Sequence, residues 1–177
     1  SYPTPAALPT SNRIVVNDKV PTLADLGLPP LENDLRSAFP YLGGTKAALK
    51  RLEQYFWKNK KLSFYKNTRN GLLGTDYSSK FSPWLANGCL SPKTIYWEIK
   101  RYEKEIKKNQ STYWLIFELI WRDYFKYISL KHGNKIFKIG GILDRDYFWS
   151  SEMERFRQWA EGLTPEPFVN ANMIELK

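Results

Sequence analysis

The chain reads as all-α: a helical domain over residues 45–177, preceded by an extended, proline-rich arm over 1–44. Three observations predict this. After Thr45, apolar residues recur with helical spacing in several stretches. Ser82-Pro83 and Ser91-Pro92 are helix starts, because proline loses no intrahelical hydrogen bond at the first helical position. Strand signals are few.

The elements follow in order. Prolines at 3, 5, 9, 21, 29, 30 and 40 starve the arm of helix. Thr22 to Gly27 has one helical turn with a glycine stop, and Gly43-Gly44 closes the arm. From Thr45, read as an N-cap, Ala48, Leu49, Leu52, Tyr55 and Phe56 share a face, with Lys46, Lys50, Arg51 and Glu53 opposite. Residues 59–77 read as loop or broken helix, interrupted by Gly71 and Gly74. A short helix opens at Ser82-Pro83 and runs through Trp84, Leu85 and Ala86. The next opens at Ser91-Pro92, with Ile95, Ile99, Tyr102 and Ile106 as its apolar stripe. The helix from about 112 to 131 is apolar on nearly every side in its first half, so it is expected to be buried and central. Gly133 ends it beside His132, and an aromatic-rich loop leads to Trp149. Ser151 to Glu154 has capping-box spacing for a helix anchored by Phe156 and Trp159 and stopped by Gly162. A last helix starts near Asn170 and reaches Lys177 with Met173 and Leu176 still to be buried, which is not the expected end of a domain.

Composition narrows the chemistry. The chain has 177 residues, enough for a core without disulfide staples, and 7 Trp, 11 Tyr and 10 Phe argue against wholesale disorder. A single cysteine, Cys89, excludes an intrachain disulfide framework and a Cys-rich zinc site, and reads as core. With one histidine, a His-based triad or multi-His metal site is a poor candidate, so any chemistry is expected to come from a cofactor. The apolar run Trp114 to Trp121 contains Glu118 and is too short to span a bilayer. The opening Ser1-Tyr-Pro-Thr-Pro shows no signal-peptide pattern and no initiator Met. The net charge of +9 is uneven: residues 45–138 hold 20 Lys+Arg against 7 Asp+Glu, and both flanks are slightly acidic. Cations interleaved with aromatics suit phosphates and bases; the alternative is a solvated lysine-rich surface.

Three constellations carry the candidate chemistry. In Asp76 to Pro83, Ser78, Ser79, Lys80 and Ser82 stand just before a proline-started helix. Free N–H groups, hydroxyls and an ammonium there suit a phosphate or pyrophosphate; an ordinary serine cap is the alternative. On the long helix, Glu118, Trp121, Arg122 and Phe125 share a face. Glu118 pairs with Arg122 across one turn at a core edge, or else the two line a pocket with an indole beside them. Tyr65-Lys-Asn-Thr-Arg69-Asn lies in the most basic loop and could serve a nucleotide or DNA backbone.

These same residues carry a resemblance. Gly43-Gly-Thr-Lys-Ala-Ala-Leu, Tyr65-Lys-Asn-Thr-Arg-Asn-Gly-Leu-Leu-Gly, Asp76-Tyr-Ser-Ser-Lys-Phe-Ser-Pro, Ser111 to Phe125 and Gly140-Gly-Ile, in that order, resemble the photolyase/cryptochrome family and, within it, the DASH type. The resemblance covers about residues 22–177 and implies a linker followed by the first half of the helical FAD-binding domain. It implies blue-light-driven electron transfer from reduced FAD to pyrimidine dimers in DNA, with single-stranded DNA the associated partner of the DASH type. By resemblance, Tyr65, Ser78, Ser79, Lys80, Phe81 and Ser82 contact FAD, the serine–lysine run mainly at its phosphates, and Arg122 sits by the flavin. Arg69 contacts DNA, Glu118 bonds the damaged base and Trp121 packs against it, which makes Glu118 and Trp121 the catalytic candidates. No metal and no membrane partner is implied.

The family also has an upstream α/β domain for a folate-type antenna pigment and a downstream continuation that completes the flavin site; the resemblance reaches neither. The remainder of the FAD domain is therefore an expected partner, and these residues alone are expected to hold FAD poorly and to be inactive. Thr164-Pro-Glu-Pro167 replaces the usual Thr-Gly-Tyr-Pro, and Asn170 replaces a usual Asp. A photoreceptor without repair activity, and a flavin-free basic DNA-binding module, are the alternative functions.

Overall fold

The structure is a computed structural model that describes residues 21–30, 37 and 39–177. Most of the arm, including its prolines at 3, 5 and 9, lies outside the described residues. Ser1–Phe125 and Lys126–Lys177 form two compact units. Every regular element among the described residues is helical.

In the first unit, α1 (Thr45–Glu53) runs into one π-helical turn, Gln54–Lys58. Tyr55 and Phe56 are consecutive yet both fully buried, and the wider turn accommodates the pair. A 3₁₀ turn (Lys61–Phe64) and α2 (Tyr65–Thr68) follow, then a loop, α3 (Ser82–Ala86), α4 (Pro92–Glu105) and α5 (Gln110–His132), whose residues from Lys126 onward belong to the second unit. Ile95, Ile99 and Tyr102 of α4 are fully buried and meet Tyr55, Phe56, Leu62, Phe81 and Leu115 in one core. The Ser91 hydroxyl accepts the Lys93 N–H at 3.2 Å, so this helix start caps as its sequence predicts.

Several expectations change. Thr45 is the first helical residue, and Gly44 occupies the cap without a side-chain bond. Leu49 is 44% exposed while Arg51 is only 3% exposed, so the two faces of α1 are partly exchanged. The reason is a distant carboxylate, Asp76, at 2.8 Å from Arg51. On α5 only Ser111, Thr112, Leu115 and Leu119 are buried, while Ile120, Trp121, Tyr124 and Phe125 are exposed. Within the described residues it is buried along one face only.

In the second unit, a 3₁₀ turn (Gly133–Phe137) precedes α6 (Met153–Glu161) and α7 (Pro167–Leu176). The capping box does not form: Glu152 holds the α6 cap position with no side-chain cap bond. Gly162 ends α6 at φ +70°, and a Cβ there would meet the Ile174 side chain at 3.0 Å. The last helix begins at Pro167, earlier than the Asn170 start that spacing suggests.

Candidate functional site

The predicted site residues lie on α2 and its C-terminal cap, in the loop before α3, at the first residue of α3, and on α5, all within the first unit. Tyr65, Ser79, Phe81, Ser82, Glu118 and Arg122 line one cavity of about 330 Å³, with Leu85, Leu115 and Leu119 as its apolar wall. That volume lies at the small end of the range for ligand pockets. Burial pushes the Tyr65 phenol up to about 12, aided by the Glu118 charge and opposed by Arg69. Tyr65 therefore stays protonated near neutrality, a donor as well as an acceptor.

The loop before α3 is held from behind by Arg51. Its Nη1 donates to Asp76 Oδ1 at 2.8 Å, Nη2 to the carbonyls of Thr75 (2.9 Å) and Ser78 (3.1 Å), and Nε to the Ser79 carbonyl (3.1 Å). Asn59 Nδ2 donates to Asp76 Oδ2 at 2.7 Å. Burial raises the Asp76 pKa, but the bonds from Arg51 and Asn59 and the charges of Arg51 and Lys61 outweigh it, holding the carboxyl below its usual value. Periodicity placed Arg51 outside; the one signal that could have found its role is Asp76 standing inside the serine–lysine motif.

Ser79 is 8% exposed and on the cavity, whereas Ser78 and Lys80 do not line it. The Lys80 ammonium lies 3.8 Å from the Tyr77 ring centroid and donates to the Tyr77 hydroxyl. The Lys80 backbone is left-handed, at φ +61°, a conformation a non-glycine residue adopts at a cost. Because α3 is a single turn, its dipole is weak, and an anion here would depend on the loop's own donors rather than on the helix end.

Glu118 does not pair with Arg122. Its Oε1 lies 2.9 Å from Arg69 Nη1 and accepts the Trp114 indole N–H at 3.1 Å. Arg122 pairs instead with Asp123 at 3.2 Å. Arg69, at the end of α2, reaches across to α5 and supplies a closer partner than the intrahelical one. Lys66 and Arg69 also stand over the Trp114 ring, at 4.7 and 5.4 Å. Trp121 leaves the cavity's edge: with Phe117, Ile120 and Tyr124 it lines a separate apolar recess of about 180 Å³, and its ring stacks on Phe125 at 5.5 Å. The structure thus brings Tyr65, Ser79, Phe81, Ser82, Glu118 and Arg122 together, ties Arg69 to Glu118, and leaves Ser78, Lys80 and Trp121 outside.

In the second unit, the Thr164 N–H and hydroxyl donate to Asn170 Oδ1 at 2.9 and 2.7 Å, and Asn170 Nδ2 donates to the Thr164 carbonyl at 2.7 Å. The amide at 170 uses both of its ends on the Thr164 turn. Among the described residues no cluster of His, Cys, Asp and Glu could hold a metal, and no helix is long and apolar enough to cross a membrane.

The helical fold has a solved counterpart. A cryptochrome from Synechocystis matches with a TM-score of 0.80 and 50% identity, over 91% of this chain and 33% of that one. Over the part that it spans, the chain belongs to the cryptochrome/photolyase family. Its relatives place it more narrowly: proteins named Cryptochrome DASH from Danio rerio (54% identical over 157 residues, 89% of this chain and 30% of the relative) and Gloeobacter violaceus (49% over 174 residues, 98% and 35%). The chain therefore spans about a third of the length of the curated relatives it matches. No protein-family profile matches it.

Proposed function

We propose that this chain supplies the phosphate side and one cavity wall of a FAD site in a DASH-type light-driven DNA photolyase or cryptochrome. The observation that carries the reading is the cavity shared by Tyr65, Ser79, Phe81, Ser82, Glu118 and Arg122. Hydroxyl and guanidinium donors around apolar walls suit a ligand with both anionic and flat aromatic parts, and FAD is such a ligand. The chemistry FAD supplies when bound is absorption of blue light and donation of an electron to a lesion.

This chain's own residues do the rest. Ser79 and Ser82 donate to phosphate oxygens, with Ser78 and Lys80 behind them. Tyr65 and Phe81 close the apolar wall against water. Arg122 offsets negative charge at the flavin. Glu118, already accepting one N–H, accepts one from a damaged base, while Arg69 and the basic 45–138 block engage DNA phosphates. Trp121 packs against the extruded base. The exposed side of α5 takes the remainder of the FAD domain, and a folate-type antenna pigment belongs to the whole protein rather than to these residues.

The test is light-dependent loss of pyrimidine dimers from single-stranded DNA, using the whole protein with FAD and its Glu118→Gln variant. Repair that falls in the variant supports the reading. A protein that holds FAD but repairs nothing is a photoreceptor. Salt-dependent DNA binding without flavin marks a flavin-free module.

A further inference from the structure

Among the described residues Arg51 is the most deeply buried charge, at 3% exposed, and it lies outside the lining of the candidate flavin cavity. A guanidinium so placed is costly unless its donors are used, and four of its five N–H groups are. Three of those four go to main-chain carbonyls of one short loop, those of Thr75, Ser78 and Ser79. In a trans peptide the carbonyl and the following N–H point in opposite directions. Turning these three carbonyls onto Arg51 therefore turns the N–H groups of Asp76, Ser79 and Lys80 away from it. None of the three donates a hydrogen bond within the described residues. The loop thus has a carbonyl side facing Arg51 and an amide side that is free to donate, and Ser79 of that loop lines the cavity. The left-handed backbone of Lys80 belongs to the same arrangement: strain held in place by its surroundings.

We infer that Arg51 is a positioning residue for anion recognition: by gathering the carbonyls of residues 75–79 it presents the amides of Asp76, Ser79 and Lys80 to the diphosphate of the ligand. This rests on the reading that residues 78–82 hold the FAD phosphates. Asp76 and Asn59 complete the device, since Asp76 is held by Asn59 on one oxygen and orients Arg51 with the other. Arg51 does not touch the ligand; it acts through the loop. Lysine at 51 keeps the charge but offers no planar fork, so it can gather fewer carbonyls at once.

The experiment follows the amide resonances of Ser79 and Lys80 in the isotope-labelled chain during titration with inorganic pyrophosphate, with riboflavin, which has no phosphate, as the second probe. In the wild type, pyrophosphate moves both resonances. Arg51→Met binds pyrophosphate about tenfold more weakly, equivalent to ~1.4 kcal/mol, and Arg51→Lys falls between the two. Riboflavin affinity is unchanged in both. A folded Arg51→Met that binds pyrophosphate like the wild type overturns the positioning role and leaves the phosphate reading standing. If Arg51→Met does not fold, Arg51→Lys and Asp76→Asn carry the test: equal loss of pyrophosphate and riboflavin means a merely structural arginine. Wild-type protein in which pyrophosphate moves no resonance in 75–82 overturns the phosphate reading itself, and this inference with it.

Discussion

The Arg69–Glu118 pair makes a prediction that connects stability to DNA binding. The two groups meet at 2.9 Å with side chains 31% and 34% exposed. Two unit charges 4 Å apart near a protein surface attract by about 4 kcal/mol at an effective dielectric of 20. Solvent screening and the ordering of two long side chains leave fully exposed pairs with only ~0.2–1 kcal/mol. A pair two-thirds covered, with the Trp114 indole holding the same carboxylate, belongs near the top of that measured range. A double-mutant cycle with Arg69→Met and Glu118→Gln, read by urea unfolding, should therefore give a coupling of about 1 kcal/mol, reduced at 1 M salt where the Debye length is about 3 Å. On the proposed function, Arg69 is engaged before DNA arrives. Glu118→Gln releases it, so undamaged single-stranded DNA should bind about fivefold more tightly, with a salt slope steeper by about 0.7 for one added phosphate contact. A coupling below ~0.3 kcal/mol, or weaker binding of undamaged DNA by Glu118→Gln, refutes the idea that these two residues hold each other in reserve.

Other outcomes follow from single contacts. The Tyr55 hydroxyl is buried with no hydrogen-bond partner; Tyr55→Phe should stabilise the chain by about 1 kcal/mol, roughly 3 °C in a thermal melt, and a lower Tm would mean the hydroxyl is used. Asp76 and Glu103 are both held below their ordinary values of 3.8 and 4.5, in each case against burial, Glu103 by its bonds from Lys100 and Thr112. Their contribution is complete above pH 4.5 and is lost as pH falls through the lowered values, so acid unfolding should be shallower in Asp76→Asn and Glu103→Gln, and an unchanged pH profile would contradict those bonds. Asn170→Asp exchanges an N–H donor for a second carboxylate oxygen facing the Thr164 carbonyl and should cost about 1–2 kcal/mol in a chemical melt, whereas a neutral result would mean that the amide at 170 is not what holds the turn.

What could be read from the sequence, and what could not, divides by distance along the chain. Ser82-Pro83 and Ser91-Pro92 announce α3 and α4 because a proline in the first helical turn is a local signal, although only Ser91 caps its helix and Ser82 is itself the first residue of α3; the Ile95, Ile99, Tyr102 stripe follows from one local period. Motif resemblance singled out six residues that the structure brings to one cavity, Tyr65, Ser79, Phe81, Ser82, Glu118 and Arg122. The burial of Arg51 and the ion-pair partner of Glu118 are not legible for one physical reason: each takes its partner from another element, and periodicity reports only neighbours one turn away. The exposed side of α5 misled in the opposite sense. Its Ile120, Trp121 and Tyr124 look like core from composition, but burial depends on how closely other elements pack on them, and each stays at least 40% exposed.

The most direct test is amide hydrogen exchange on this chain with and without FAD in large excess, which reports even a weakly held ligand. Added protection should centre on residues 76–82, Tyr65 and the Glu118–Arg122 turn of α5. Protection that is absent there, or that falls instead around the cavity bounded by Phe39, Lys46, Lys50 and Trp84, would contradict the assignment of the flavin site.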